Sequence, residues 1–563
     1  MGEPEVPVLV VGGSLVGLTA SVLLAARRVP HLLVERHRGT AIHPRAASFH
    51  QRTLEVFRGV GLQAAVEAAA AREFVQNGAL IAVDSLAGRE LACFYRSFNE
   101  GVEALSPTAR LFITQVGLEP LLRTRALELG AEHCYATEMT GCEHLGESGG
   151  GGGSAGAGVR VTLRSRDGGA ERSLRARYLI AADGAHSGVR RWSGIAMQGR
   201  GRFAECLTIY FRADVRALLG GRNLSVVYVN QPGLLGFFRF AIGGDAGFLA
   251  VFASFDADGR RQEPDAAPAR CAALVRAALG VPPDFAVTID DVQPWTAAAA
   301  TAGALRSGPV FLAGDAAHTM PPTGGFGGNT GVADVHNLAW KLALVLAGAA
   351  GDALLDTYDA ERRPQCQLTV EQAYARYVKR VDASLPAADL APLLDDASIE
   401  LGAVYRSAAV LATGAGVDAD TATPLLEDPR HPSGRPGTRV PHLWLRRRGE
   451  PVSTLDLPDG GFALVAGAGG GAWIAAAEAL GGAGAGGGAG ASGGAVPLRT
   501  CRVAPGGEFE DPAGRLESLL GIGPEGAVVL RPDGVIGWRA TAEDPAPRDR
   551  LAEVLRRLSC RGA

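Results

Sequence analysis

The stretch Val8–Leu18 reads VLVVGGSLVGL, and it decides the fold of the N-terminal part of the chain. It opens with a continuous apolar run, which is typical of a strand buried in a parallel sheet. Residues 15–27 then repeat their apolar positions with the period of a helix, and a second strand is predicted over 31–35. Strand, glycine-rich turn, helix and strand in this order form the βαβ unit that binds dinucleotides.

The glycine-rich turn departs from the usual three-glycine pattern at one place. Gly12 and Gly17 hold the outer positions, and Ser14 stands where the middle glycine is usual. A serine is small enough to leave room for a pyrophosphate at the helix N-terminus, and its hydroxyl can donate to phosphate. Glu35 ends the second strand, where a carboxylate accepts from a ribose hydroxyl and repels a 2′-phosphate. The pattern predicts a dinucleotide site at the start of the first helix.

Two later segments each join a buried strand to an aspartate. Residues 178–190 read YLIAADGAHSGVR, in which an apolar strand ends at Asp183. Residues 310–341 read VFLAGDAAHTMPPTGGFGGNTGVADVHNLAWK, in which Asp315 follows a strand and a glycine loop opens a long helix. Bare backbone amides at a helix N-terminus stabilise negative charge, so the loop 324–329 is predicted to face an anion.

These three motifs, in this order, resemble those of the FAD-dependent aromatic hydroxylases, the single-component flavoprotein monooxygenases typified by para-hydroxybenzoate and phenol hydroxylases. The segments HPRAASFHQRTLE (43–55), ITQVGLEPLLR (113–123) and YDAERRP (358–364) agree with the same family. The similarity covers residues 5–400 approximately. Within the family, the chain most resembles tailoring hydroxylases of polycyclic aromatic polyketides, such as those of the tetracenomycin type.

The resemblance implies a set of FAD contacts. In chain order these are Gly12, Ser14 and Gly17 at the pyrophosphate, Glu35 with Arg36 at the adenosine ribose, Arg45 and Gln115 beside the diphosphate and ribityl chain, Met139 at the adenine, Asp183 in a motif that serves FAD and NAD(P)H, Asp315 at the ribityl chain, Pro321 at the flavin, and the amides of Gly328 and Asn329 at the flavin N1–C2=O edge. No catalytic side chain and no metal ligand is assigned. His318 is interpreted as a structural histidine of its loop.

The order of elements predicts a Rossmann-like α/β FAD-binding domain, an inserted and mainly antiparallel substrate sheet, and a thioredoxin-like C-terminal α/β domain. Residues 204–255 hold runs rich in Val, Phe and Tyr that are separated by turn signals, a pattern typical of antiparallel strands. The predicted boundaries are 1–190 and 291–400 for the two parts of the FAD-binding domain, 191–290 for the sheet and 401–563 for the C-terminal domain. The last has no CxxC pair, so no redox chemistry is expected there.

Composition and charge exclude several classes of protein. A chain of 563 residues, 47% hydrophobic and 20% charged, suggests about three domains rather than a disordered protein. Its net charge of −4 argues against a nucleic-acid partner, and no apolar run reaches the ~18 residues of a membrane span. The eight scattered cysteines and an acidic start without signal-peptide features predict a cytoplasmic protein with reduced thiols and no metal site.

The resemblance thus implies a monooxygenase dependent on FAD and NAD(P)H. Such an enzyme hydroxylates a phenolic polycyclic polyketide with O2 through a flavin C4a-hydroperoxide, as a step of antibiotic biosynthesis, and the cofactor supplies the reactive oxygen. The sequence leaves NADPH and NADH open as donor and leaves the oligomeric state open. Two alternative functions also stay open, a Baeyer–Villiger-type oxygenase of a polyketide and a non-catalytic flavin-binding or scaffold protein.

Overall fold

The computed structural model describes residues 4–43, 47–146, 158–256, 258–411, 424–481 and 496–562. Within these ranges the helices are α1 (Leu15–Ala26), α2 (Gln51–Gly59), α3 (Gln63–Glu73), α4 (Gln115–Glu128), α5 (Gly188–Trp192), α6 (Arg216–Leu219), α7 (Pro268–Leu279), α8 (Phe326–Leu346), α9 (Ala353–Arg380), α10 (Asp396–Leu401), α11 (Gly471–Ala479), α12 (Leu516–Leu520) and α13 (Pro547–Leu558). None of these helices has the length and apolar character that crossing a membrane requires.

The strands of the same ranges are β1 (Glu5–Val11), β2 (His31–Val34), β3 (Ser48–Phe49), β4 (Ala79–Val83), β5 (Glu90–Tyr95), β6 (Leu111–Phe112), β7 (Glu132–Cys134), β8 (Thr137–Leu145), β9 (Gly158–Ser165), β10 (Arg172–Ala181), β11 (Met197–Arg212), β12 (Leu224–Gln231), β13 (Leu234–Phe240), β14 (Ala246–Phe255), β15 (Arg261–Gln262), β16 (Thr288–Ala302), β17 (Arg306–Ser307), β18 (Val310–Leu312), β19 (His318–Thr319), β20 (Trp444–Arg447), β21 (Glu450–Ser453), β22 (Phe462–Ala466), β23 (Leu498–Arg502), β24 (Phe509–Glu510), β25 (Ala527–Leu530) and β26 (Ile536–Ala540).

The N-terminal sheet contains the parallel strands β18, β10, β1, β2 and β7 in this order, and β17, β9 and β8 join it by antiparallel pairing. Strand β1 lies between β10 and β2, and its apolar residues from Val8 to Val11 are buried. Both faces of such a strand are covered, which explains a continuous apolar run in place of an alternating one. The predicted βαβ unit is therefore present as β1, α1 and β2.

A second, mainly antiparallel sheet, here called the inserted sheet, runs in the order β19, β16, β11, β14, β13, β12, β4 and β5. Strands β11 to β14 correspond to the antiparallel runs that the sequence predicts. The sheet is wider than the predicted segment 191–290, because β4 joins it by parallel pairing with β12 and brings β5 with it. Strand β16 also extends the sheet to Ala302.

One face of the inserted sheet is a hydrophobic core against α7. Ile209, Phe238 and Leu249 of the sheet are buried there together with Val275 and Leu279 of the helix. Side chains alternate between the two faces of a strand, so the residues next to these in sequence lie on the opposite face. That opposite face carries the aromatic residues described below.

The C-terminal domain contains a mixed sheet in the order β23, β22, β25 and β26, with α11 and α13 packed beside it. Its core is continuous with that of the N-terminal part, since the ring centroids of Trp340 on α8 and Phe462 on β22 lie 5.9 Å apart. This strand order, with helices beside the sheet, agrees with the predicted thioredoxin-like α/β domain. The interface between the two parts is thus a packed core.

A buried set of four charged side chains crosses the same interface. Arg531 donates to both carboxylate oxygens of Glu361 at 2.6 and 2.9 Å and to Asp533 at 2.6 Å, and Lys341 donates to Glu361 at 2.9 Å. Burial alone raises the pKa of the Glu361 carboxyl, but Arg531 and Lys341 hold that pKa well below its ordinary value. Two positive and two negative charges balance, so each buried charge has a partner.

We expect Arg531→Met to destabilise the protein by about 3–5 kcal/mol, because Glu361 and Asp533 then remain as buried charges without their guanidinium partner. The midpoint of urea unfolding measures the loss. Arg556→Met is the matched control, since Arg556 pairs with Glu553 at the exposed surface of α13 and should leave the midpoint unchanged. Equal midpoints for the two variants would contradict the role given to Arg531.

Candidate active site

Four of the predicted cofactor contacts lie at one edge of the N-terminal sheet. Strands β1, β2, β10 and β18 are neighbours and parallel, and Gly12, Glu35, Asp183 and Asp315 follow their carboxyl ends. The carboxyl ends of parallel strands share an edge, so residues distant in sequence meet there. This edge is where open α/β sheets bind their ligands.

The turn after β1 brings two backbones unusually close. Gly12 has φ +109°, a side chain at this position would overlap the carbonyl of Ala182, and one at Gly17 would overlap the carbonyl of Gly12. Only glycine meets both conditions at no steric cost. The Gly13 amide donates to Glu35 Oε2 at 2.6 Å, which joins the turn to the end of β2.

The serine at the middle position is held by a buried carboxylate, that of Glu119 on α4. Ser14 Oγ and the Leu15 amide donate to Glu119 Oε1 at 2.5 and 3.0 Å, and the Ala41 amide donates to Oε2 at 2.6 Å. Gln115 Nε2 lies 3.2 Å from Ser14 Oγ and 3.0 Å from Glu119 Oε1. The structure therefore places Gln115 beside the glycine turn, and its contact with FAD stays a prediction.

Glu119 is a residue that the sequence analysis missed. It lies one turn of α4 after Gln115, within the segment ITQVGLEPLLR that the resemblance singles out, and this spacing was the available signal. A carboxylate is unsuited to contact a diphosphate directly because like charges repel. Its hydrogen bonds instead align the start of α1 with α4 and with the segment after β2.

The second motif leaves one buried oxygen available. Asp183 Oδ2 accepts from the Val189 amide at the start of α5 at 3.2 Å, whereas Oδ1 has no hydrogen-bond partner in the described part of the chain. A buried acceptor without a partner costs about 1–3 kcal/mol. A hydroxyl of a bound cofactor would satisfy this oxygen, so the site fits FAD.

The third motif, residues 310–341, is held in place by the carboxylate of Asp334 on α8. Asp334 Oδ2 accepts from the Gly314 amide at 3.0 Å and lies 2.7 Å from His318 Nε2, while Oδ1 accepts from Arg362 Nε at 2.9 Å. His318, Asp334 and Cys366 are close enough to share a metal ion. Both oxygens of Asp334 are already engaged and a guanidinium faces them, so the cluster acts as a structural network. This agrees with the interpretation of His318 as a structural histidine.

The glycine loop leads into α8, whose first turn is fixed by Asn329. Its Oδ1 accepts from the His50 amide at 3.0 Å and from Thr53 Oγ1 at 2.7 Å, and its Nδ2 donates to the Gly325 carbonyl at 2.7 Å. The side chain is thus occupied within the protein. What the first turn offers to a ligand is its backbone amides, including those of Gly328 and Asn329.

The structure describes four further residues of the predicted set. Pro321 is buried just before the glycine loop, Met139 is buried in β8, Asp315 is exposed at the carboxyl end of β18, and Arg36 is exposed after β2. Arg45 lies outside the described residues.

A row of aromatic rings, here called the aromatic wall, lies on the face of the inserted sheet opposite α7. It consists of Tyr210, Phe248, Phe237, Tyr228 and Phe94, whose successive centroids are 6.0, 5.7, 5.9 and 5.8 Å apart. All except Tyr228 are half-buried. Rings that are incompletely covered by protein offer a stacking surface to a planar ligand.

Polar groups stand at both ends of the aromatic wall. His43, from the segment after β2, stacks on Tyr210 at 6.3 Å, and its Nδ1 lies 3.0 Å from Asp291 Oδ2. At the other end the Arg380 guanidinium lies 5.0 Å from the centroid of Phe94. The aromatic wall is therefore an apolar strip with charged ends, which suits a flat molecule with polar substituents at its edges.

Family comparisons match the chain over two ranges. A model described as FAD binding domain matches residues 5–373, and one described as aromatic-ring hydroxylase, C-terminal, matches residues 433–561. The chain belongs to the FAD-dependent aromatic-ring hydroxylases. The predicted family, the predicted enzyme class of flavoprotein monooxygenase, and FAD as its cofactor are thereby confirmed.

Relatives of this hydroxylase match over nearly its whole length. The 4-methyl-5-nitrocatechol 5-monooxygenase of Burkholderia sp is 46% identical, over 99% of this chain and 98% of the relative. The tetracenomycin A2 monooxygenase-dioxygenase of Streptomyces glaucescens is 38% identical, over 99% and 98%. The crystal structure of aklavinone-11 hydroxylase with FAD and aklavinone has a TM-score of 0.88 at 36% identity and covers both chains fully, which confirms the predicted fold class.

We expect Glu119→Ala to weaken FAD binding by about tenfold or more, because the start of α1 loses buried hydrogen bonds worth about 1–3 kcal/mol. Titration of the apoprotein with FAD, followed by flavin fluorescence, measures the dissociation constant. Glu128→Ala is the control, since Glu128 lies on the same helix and pairs only with Arg125 at the surface. An unchanged FAD affinity in Glu119→Ala would rule out the aligning role.

Proposed function

We propose that this hydroxylase inserts one oxygen atom of O2 into a phenolic polycyclic aromatic substrate of the polyketide class, with NADPH or NADH as electron donor. The observation that carries the proposal is the aromatic wall. Its row of ring contacts, each 5.7–6.0 Å long, extends further than a single aromatic ring requires. Aromatic contacts are favourable at such distances, so a fused planar substrate that packs along the row gains from more than one ring.

The names of the relatives support the reaction class and differ in substrate. One relative is named for a nitrocatechol and another for tetracenomycin, and a solved structure contains aklavinone. All are named as monooxygenases or hydroxylases. We place this chain with the polyketide enzymes, as a step of antibiotic biosynthesis, and the test below includes a substrate of each kind.

We also propose that the predicted residue set holds FAD along the carboxyl edge of the N-terminal sheet. The unpaired Oδ1 of Asp183, the glycine turn at α1 and the backbone amides at the start of α8 support this placement. When bound and reduced, FAD supplies the activation of O2. The protein holds the diphosphate at the N-terminus of α1 and stabilises negative charge at the flavin N1–C2=O edge with the first turn of α8.

We further propose NAD(P)H as a transiently bound electron donor and the cytoplasm as the location of the protein. The described part of the chain holds one glycine-rich dinucleotide turn, at Gly12, which the proposal assigns to FAD. NAD(P)H therefore binds only for the time of electron transfer. All eight cysteines are unpaired, which supports a reducing cytoplasm as the compartment.

Turnover tests the proposal directly. The FAD-loaded enzyme should oxidise NAD(P)H slowly alone and much faster with a planar tetracyclic phenol, because an oriented substrate makes reduction productive. With ¹⁸O2, one labelled atom should enter the product and one should leave as water. A nitrocatechol should be a poorer substrate by kcat/KM. Label from water, a lactone product, or no stimulation by any phenol would each contradict the proposal.

Substitution of two adjacent phenylalanines tests the two faces of the inserted sheet separately. Phe237→Ala removes a ring of the aromatic wall and should raise KM for a polycyclic phenol by about 2–10-fold, the equivalent of ~0.5–1.5 kcal/mol. Phe238→Ala removes a buried ring from the core against α7 and should lower the free energy of unfolding by about 3–5 kcal/mol. Substrate saturation curves and urea unfolding measure both variants. A destabilised Phe237→Ala with unchanged KM would refute the proposed substrate face.

A further inference from the structure

A polar cavity of about 70 Å³ lies beside the first turn of α8. Its lining comes from α2, α8, α9, α10 and the C-terminal part, and includes His50, Thr53, Asn329, Arg362, Glu400 and Tyr405. A buried water needs about 10–15 Å³ and two or more polar partners, so the cavity has room and partners for several waters. Arg52, which also lines it, is one-fifth exposed, so the cavity approaches the protein surface.

His50 connects this cavity to the glycine loop. The imidazole is 4% exposed, its Nε2 lies 3.3 Å from the Gly324 carbonyl oxygen, and its ring meets Phe326 edge-on at 5.6 Å. The backbone amide of His50 donates to the Asn329 side chain at 3.0 Å. These contacts are all with the first turn of α8 or with the loop before it.

A carboxylate stands near His50 without binding it tightly. Glu400 Oε1 lies 3.8 Å from His50 Nε2, while Glu400 Oε2 accepts from Arg110 Nε at 2.9 Å. The Gly324 carbonyl only accepts, so it holds the hydrogen on Nε2 and a further proton enters at Nδ1. The imidazolium then has the negative charge of Glu400 beside it. The imidazole has the surroundings that an imidazolium needs, and the cavity offers a route for the proton.

The charges around His50 come from several elements. Further charged or titratable groups nearby are Asp396 on α10, Arg52 and Glu55 on α2, Arg362 and Arg376 on α9, and Tyr405 and Arg439 beyond α10. Burial, aided by Arg110, lowers the pKa of His50 below its ordinary value, whereas Glu400, Asp396 and the Gly324 carbonyl raise that pKa. Burial prevails, so the imidazole is neutral at neutral pH.

We propose that His50 takes up a proton from the cavity when bound FAD is reduced, so that the imidazolium offsets the negative charge of the reduced flavin. The inference rests on the proposed placement of the flavin N1–C2=O edge at the start of α8. A negative charge placed there raises the pKa of a base on the neighbouring loop. NAD(P)H delivers two electrons and one proton to the flavin, and one further proton passes from solvent through the cavity to the imidazole.

The midpoint potential of the holoenzyme as a function of pH tests this inference. A tenfold decrease in proton concentration lowers the potential of a two-electron couple by about 30 mV for each proton taken up. The slope of potential against pH should approach twice that value between the pKa of His50 with oxidised FAD and its pKa with reduced FAD. The first of these lies below ~6.5, the ordinary histidine pKa, and the second is higher because the flavin is then negative. His50→Gln keeps a hydrogen-bonding side chain but cannot titrate, and its slope should stay at one proton throughout.

His442→Gln is the matched control, because His442 is a half-buried histidine of the C-terminal domain that binds Ser453. Its slope should equal that of the unaltered protein. Equal slopes in the unaltered protein and His50→Gln, with FAD bound in both, would overturn this inference and leave the proposed function intact. An unaltered protein that binds no FAD would instead overturn the proposed function and this inference together.

A second measurement covers the case in which His50→Gln does not fold. The unaltered holoenzyme is reduced at an electrode through methyl viologen, which releases no protons, in weakly buffered solution with the counter electrode in a separate compartment. A pH indicator counts the protons taken up per flavin. Uptake that rises clearly above the one-proton baseline inside the window supports the inference. Uptake that stays at this baseline at every pH overturns it.

Discussion

The close approach of the turn after β1 to the backbone at Ala182 is the constraint on which the rest of the site depends. At Gly12 no side chain fits between the two chains, so the carboxyl ends of β1 and β10 meet without an intervening layer. Strand β18 then extends the same edge by parallel pairing with β10. The two aspartate motifs reach the glycine turn because these three strands are adjacent. The proposed cofactor site is thus a property of strand order more than of any single side chain.

Buried carboxylates organise the structure around that edge. Glu119 accepts hydrogen bonds from α1, from α4 and from the segment after β2, and Asp334 accepts from the loop after β18 and from α9. Glu361 does the same between the N-terminal and C-terminal parts. Each of these carboxylates accepts hydrogen bonds from several elements, because a carboxylate has about four lone-pair sites for donors. Each element is therefore held in register with its neighbours through a shared acceptor.

Local signals in the sequence were enough to predict the βαβ unit, the two later strand-and-aspartate motifs and the fold class. Each of the three motifs is a short apolar run followed directly by glycine or aspartate, so it can be recognised without knowledge of distant contacts. The resemblance singled out the segment that contains Gln115, and the structure places this residue beside the glycine turn. These features lie within a few residues of the strands that position them.

The features that sequence reasoning missed depend on distant partners. Strands β4 and β5 lie far before the predicted segment 191–290 of the inserted sheet, and only the pairing of β4 with β12 shows where they belong. Phe237 and Phe238 have the same chemistry, and the packing of α7 alone decides which of them is core. Glu119 and Glu361 lie on helices, where an acid is most often a surface residue. The only nearby signals are the spacing of Glu119 from Gln115 and the place of Glu361 in the segment 358–364, and neither shows burial.

The ion pair of Arg531 with Glu361 also has a consequence for how the chain is made. Glu361 lies on α9, within the range matched by the FAD-binding family, but its partner is synthesised 170 residues later. At about 5–20 residues per second, the ribosome needs on the order of 10–30 s to add that length. During this interval the nascent N-terminal part exposes the apolar surface around Trp340 that Phe462 later covers. Chaperone demand during translation should therefore peak before the last strands emerge.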